Sequence, residues 1–184
     1  MKLFVFASTL LVFSSVAGAQ QPGGKIGLAA GLKARYAESK LNLMTQADRM
    51  PEDAYGFRPT PDIRTFGQVI AHAADTQLYV CAGVKGVPNP VAGKNLERDL
   101  KTKTEFVQAL ADSFALCDDV FASTTDDNAV QFILQGGTEM PRASVLSFLL
   151  EHNAEMYGVG TVYLRLKNLV PPSTERENAR RRSR

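Results

Sequence analysis

The chain is predicted to be all-α, a four-helix bundle, and three observations predict it. Four long segments carry apolar residues at mixed three- and four-residue spacing, the signature of helices with one buried face. Two of them open on a capping box, Thr65-Phe66-Gly67-Gln68 and Thr102-Lys103-Thr104-Glu105, in which a hydroxyl and a side-chain carbonyl satisfy free N–H groups reciprocally. Strand signals are scarce, and the intervening stretches are rich in proline and glycine.

The first helix spans roughly Gly27 to Asp48, with Leu28, Leu32, Tyr36, Leu41 and Met44 expected on its buried side. A loop, MPEDAYGFRPTPDI, follows; its prolines and Gly56 exclude regular structure. The second helix runs from Thr65 to about Gly83 and places Phe66, Val69, Ile70, Ala73, Val80 and Cys81 on one face. After the loop GVKGVPNPVAGKN, the third helix starts at Thr102 and buries Phe106, Leu110, Phe114, Cys117 and Phe121. Thr124 to Gly137 is polar and broken, and Val130 to Leu134 reads equally as a helical turn or a short extended piece. Pro141 suits a helix start. The fourth helix, about Arg142 to Asn168, would be roughly 40 Å long at 1.5 Å per residue. It is apolar on several faces, as a helix central to a bundle should be, and Asn168 with Pro171-Pro172 ends it.

The two ends of the chain are read separately from this core. Lys2, the apolar run Leu3 to Val16 and the A-x-A-like Ala17-Gly18-Ala19 describe a secretory signal peptide, residues 1–19, cleaved near Ala19. The run is too short for a membrane anchor, and no later stretch is long enough to cross a bilayer. The chain is therefore expected to be exported, periplasmic or secreted, with a bundle domain at 20–173. Residues 174–184 hold Arg176, Arg180, Arg181, Arg182 and Arg184 with almost nothing apolar, and are expected to be a disordered, solvated tail. The net charge of +2 resides largely in that tail. The body is near neutral, which argues against nucleic acid as a partner. A homodimer through a helix face is compatible with a bundle, and the exposed faces do not decide it.

Cys81 and Cys117 are the two cysteines of the chain. An oxidising compartment permits a disulfide between them, closing a loop of roughly 35 residues and stabilising by about 3 kcal/mol in the chain-entropy picture. The alternative is two buried thiols acting as small apolar residues. Neither lies in a CxxC, so a redox role has no support.

Chemistry is limited by having two histidines, His72 within the second helix and His152 within the fourth. A bundle builds sites from side chains on facing helices, so the two can converge. A catalytic zinc-type site normally takes three protein donors and a water, and only two imidazoles are on offer. By spacing alone, hydrogen-bonded core histidines are the preferred reading. Met156 stands at the i+4 position from His152, where a chelating helix would carry its second histidine, and Glu155 is turned about 100° from it. No GxSxG, DxH or phosphate-loop pattern is present, so a hydrolytic triad has no sequence support.

The segments MPEDAYGFRPTPDIRTFGQVIAHAA and EHNAEMYGVGTVYLRLKNLVPPS resemble the DinB-like family of metal-dependent bundle proteins, its exported members in particular. The matching features are Tyr55/Phe57/Pro59, Arg64-Thr65-Phe66-Gly67, His72, His152, Tyr157-Gly158, Tyr163-Leu164-Arg165 and Pro171-Pro172. Cys81 and Cys117 also look like the cysteine pair of that subgroup. The resemblance implies a DinB-type four-helix bundle with one histidine on the second helix and a His-x3-His pair on the fourth, holding zinc or nickel. Carried over residue by residue, the metal positions are His72, His152 and Met156. There the pattern breaks, because a thioether is a weak ligand for zinc or nickel and acceptable to Cu(I).

Three functions follow as expectations. The preferred one is an exported binding or structural protein whose altered His, His, Met site has weak or no metal affinity. The alternative is a metal-dependent hydrolase or thiol-group transferase using His72 and His152 with a bound water; the second alternative is a Cu(I) site. Tyr163 and Arg165 could orient an anionic ligand at the bundle mouth, although pairing of Arg165 with an acidic residue of a neighbouring helix is the preferred reading. No substrate is legible.

Overall fold

The computed structural model describes residues 24–184, so the expected signal segment 1–19 lies outside the described residues. Four long helices form the body: α1 (Leu28–Arg49), α2 (Phe66–Lys85), α4 (Lys103–Ser123) and α6 (Arg142–Leu166). Between them lie two one-turn helices, α3 (Leu96–Asp99) and α5 (Asp126–Ala129), and a hairpin of β1 (Phe132–Gln135) and β2 (Thr138–Pro141); α7 (Pro172–Arg182) follows α6. The expected all-α bundle is what forms, with these short additions. No described helix is long and apolar enough to cross a membrane.

α1 has no side-chain cap of its own; Asp126 at the start of α5 supplies one, its Oδ1 accepting from the Ala29 N–H at 2.7 Å. The buried stripe of α1 is Ala29, Leu32, Tyr36, Leu43, Gln46 and Ala47. Leu28 and Leu41, expected inside, are 47% and 51% exposed. At 100° per residue Leu41 falls on the side of the helix opposite Leu32, Tyr36 and Leu43, whereas Leu28 shares their side and is exposed as the first residue of α1. Tyr36 stacks on Phe121 with centroids 3.9 Å apart, and its hydroxyl lies against both the Phe114 carbonyl and Asp118.

The capping box of α2 is present: the Thr65 N–H donates to Gln68 Oε1 at 2.9 Å and the Gln68 N–H to Thr65 Oγ1 at 3.2 Å. That of α4 is present likewise, through Thr102 and Glu105. α2 ends at Gly86, whose φ of 73° is the left-handed conformation glycine adopts without strain. Its buried residues cover most of its circumference, because α4 packs on one side and α6 on another. The approach of α4 is close enough that a Cβ at Gly67 would sit 2.6 Å from the Phe106 ring. Cys81 of α2 is disulfide-bonded to Cys117 of α4, Cα atoms 5.3 Å apart. The thiol alternative is thereby removed.

Of the two readings open for Val130 to Leu134, the extended one forms from Phe132 onward, while Val130 caps α5. β1 pairs antiparallel with β2, and Gly136 and Gly137 make the two-residue turn with φ of 59° and 83°. Pro141 closes β2 and serves as the N-cap of α6. Asn168, φ 59°, ends α6, with the Leu169 N–H reaching back to the Leu164 carbonyl at 2.9 Å.

Residues 172–182 are helical where a disordered tail was expected from 174. Pro172 at the first turn and arginines in the last turn suit a helix, and Arg181 pairs with Glu177 one turn earlier. Two contacts tie α7 to α1: Arg49 to Glu175, and Arg176 to Asn42.

Candidate functional site

His72 sits two turns into α2, on the flank that faces α6, and His152 projects from the middle of α6 toward it. The imidazole centroids are 5.0 Å apart at an interplanar angle of 61°. The two histidines therefore converge. Phe148, one turn before His152, lies 6.3 Å from its ring and is itself exposed. Met156, one turn after, is buried in the bundle core at 5% exposure.

Both rings are held by neighbours. Nδ1 of His72 lies 3.0 Å from Glu97 Oε1, while Arg64 Nε donates to the other oxygen of the same carboxylate at 2.8 Å. Arg64 Nη2 also stands 3.5 Å from His72 Nδ1. Glu97 can only accept, so the shorter contact is Nδ1–H of His72 donating to its carboxylate. His152 turns Nε2 toward the Thr76 hydroxyl at 3.4 Å, and its Nδ1 is buried with no partner among the described residues. Burial pushes the His152 imidazole below its ordinary range; His72 and Arg64 act the same way, and Glu155 opposes them. Asp75, one turn from His72 on α2, has its carboxyl raised by burial, with Glu97 adding to the rise and His72 opposing it.

Arg64 is positioned from behind. Tyr163 of α6, 2% exposed, donates its hydroxyl to the Arg64 carbonyl at 2.5 Å. Its ring packs edge-on against Phe57 and tilted against Phe66, centroids 6.0 Å and 6.2 Å apart. Tyr163 is thus committed to holding the loop before α2. Arg165 points to the Thr174 hydroxyl at 3.4 Å, and among the described residues it makes no salt bridge; the expected acidic partner is not there.

Sequence reasoning missed Glu97, Asp75 and the role of Thr76. Asp75 and Thr76 stand three and four residues after His72, a spacing that puts them on the histidine's face of α2. Glu97 had no such signal, since it belongs to a four-residue helix inside a long loop.

Whether these residues fit a resident ion is a matter of donors. Rings 5.0 Å apart suit two imidazoles sharing one ion, the Glu97–His72 hydrogen bond is the kind that orients a metal-bound imidazole, and His152 Nδ1 is an orphaned nitrogen. At the third position that the resemblance implies, Met156 offers only a thioether. Among the described residues no three His, Cys, Asp or Glu side chains are grouped to hold an ion. The set does not fit a three-imidazole zinc or nickel centre.

Comparison with known proteins now bears on this geometry. The profile of the DinB superfamily matches residues 38–158, well over half of the chain and including both histidines. The chain belongs to the DinB superfamily. Its fold is similar to a DinB-like protein from Bacillus cereus, at 17% identity and a TM-score of 0.65, covering 78% of this chain and 95% of that one. A DinB-like protein from Bacillus subtilis gives 14% identity and 0.59, covering 75% and 92%. A mutant of the mycothiol-dependent maleylpyruvate isomerase gives 13% and 0.57, covering 72% of this chain and 62% of the isomerase. At these identities the likeness is one of fold. No curated protein matches the sequence.

Proposed function

We propose that this DinB-superfamily bundle is an exported binding or structural protein whose metal position has become a hydrogen-bonded histidine pair with weak or no affinity for zinc or nickel. The observation that supports this reading is Met156: buried in the core one turn after His152, it falls where the family resemblance implies a third ligand, while His72 and His152 are engaged by Glu97 and Thr76. Two imidazoles and a thioether supply too few good donors for a borderline ion. The Cys81–Cys117 bond is compatible with export.

A second reading, a metal-dependent hydrolase or thiol-group transferase with both histidines on the ion, draws support from the 5.0 Å separation of the rings. The fold likeness to a mycothiol-dependent isomerase points the same way. A Cu(I) site would use Met156 as a soft donor. Purification without a histidine tag, measurement of bound metal and calorimetric titration with zinc, nickel and Cu(I) separate the three. The expected result is no zinc or nickel binding at micromolar levels. Binding of either at that level, lost in His152→Ala, overturns the proposal in favour of the enzyme; binding of Cu(I) alone overturns it in favour of the soft site.

A further inference from the structure

A second concavity lies on the other side of α6, between that helix and α1. It encloses 660 Å³, and neither His72, His152 nor Met156 lines it. Leu28 and Leu32 of α1, Ile26 before it and Leu150 of α6 give apolar walls. Arg35 and Glu38 stand along its α1 side and Glu151 along its α6 side, two carboxylates against one guanidinium.

Asn153 is the anomaly in this cleft. It is 0% exposed, lines the cavity, and among the described residues neither its Nδ2 nor its Oδ1 has a hydrogen-bond partner. The Ser39 hydroxyl, also lining the cavity, is buried and unpaired as well. Asparagine is a poor helix former, and a buried amide left without partners is destabilising. A leucine would serve a purely structural position better. Polar side chains in this state along an apolar cleft point to a ligand that supplies what is missing.

The chemistry of that ligand can be read from the amide. Both of its polar atoms are unpaired, so it offers a donor and an acceptor side by side. The complement is an acceptor and a donor side by side, as in a carboxamide or a lactam. An undissociated carboxylic acid has the same edge but is scarce at neutral pH. With Glu38 and Glu151 outnumbering Arg35, the lining disfavours an anion, and the amide's own edge is matched by a neutral group. We infer that the α1–α6 cleft is a ligand site, separate from the histidine pair, for a small, neutral, mainly apolar molecule carrying a carboxamide or lactam edge.

Hexanamide and its isostere 2-heptanone, which keeps the acceptor and the chain but lacks the donor, test this by titration of the ¹⁵N-labelled protein. The expected result is shifts at Gly31, Ser39 and Ala154, with hexanamide binding about tenfold more tightly than the ketone, the effect of one net hydrogen bond. In Asn153→Leu that preference disappears. Gly31→Leu fills the cleft from a helix position where the nearest non-local atom is 3.9 Å from a new Cβ, so the fold is kept and both probes are excluded. Equal affinity for the two probes, a preference that survives Asn153→Leu, or hexanamide binding undiminished in Gly31→Leu would each overturn the inference. So would absence of hexanamide binding, the result expected if buried water alone bridges Asn153 and Ser39.

Discussion

Glu97 holds His72 and Arg64 at once, one carboxylate oxygen 3.0 Å from the imidazole Nδ1 and the other 2.8 Å from the guanidinium Nε. A carboxylate from a one-turn helix thus fixes the orientation of a histidine on α2 and the end of the preceding loop. Tyr163 of α6 completes the arrangement by bonding the Arg64 carbonyl. Three separate elements are tied together around the histidine pair.

Met156→His should restore a third imidazole one turn from His152. Zinc or nickel affinity is expected to rise by about 100-fold or more over the natural protein, roughly 2.7 kcal/mol. Calorimetric titration of the two proteins side by side checks it. No gain would mean that position 156 does not converge with the two histidines.

Glu97→Ala should lower stability only modestly, by about 1 kcal/mol, since the ion pair it breaks is half-exposed and solvent weakens it. The larger effect is expected on order: His72 loses the contact that selects its tautomer, and its ring ¹⁵N signals should shift toward those of a freely exchanging imidazole. Unchanged ring signals would show that Glu97 does not orient His72.

Stability should fall as pH drops through the range where free histidine titrates. His152 is held below its ordinary value of 6.5, chiefly by burial. Between that value and the lowered one, the unfolded chain binds a proton that the fold refuses, so unfolding gains; below the lowered value both states are protonated and the loss levels off. Urea midpoints measured from pH 7.5 downward should show this drop in the natural protein and a smaller one in His152→Gln. An equal drop in both would assign the effect to other groups.

The Cys81–Cys117 bond joins α2 and α4 across 36 residues of sequence. Its removal in the double serine variant should cost about 3–4 kcal/mol if loop entropy dominates. Chemical denaturation measures the difference, and reductant should reproduce it in the natural protein.

Gly67→Ala tests the closest approach between those two helices. The added methyl would meet the Phe106 ring at 2.6 Å, and overpacking of this kind typically costs about 1–3 kcal/mol. A neutral result would mean that the Phe106 ring yields without strain.

Much of the architecture was legible because its causes are local. The capping boxes at Thr65 and Thr102, the stop at Asn168 and the periodic apolar faces each act within a few residues, so the order and approximate ends of the four long helices could be read directly. Where expectation and structure part, the cause is packing. Leu28 and Leu41 lie outside because the stripe of α1 is chosen by its neighbours among several apolar residues, and α7 is helical with Arg49 and Asn42 to dock against.

The site divides along the same line. The sequence by itself determined that only two histidines were available, on two helices, with a methionine where a third donor would stand. Only the tertiary structure decided that their rings lie 5.0 Å apart, that Glu97 reaches His72 and that Asn153 is buried without partners. The reason is physical: donor identity and helical phase are properties of one segment, whereas convergence and desolvation are set by which segments pack together and how closely.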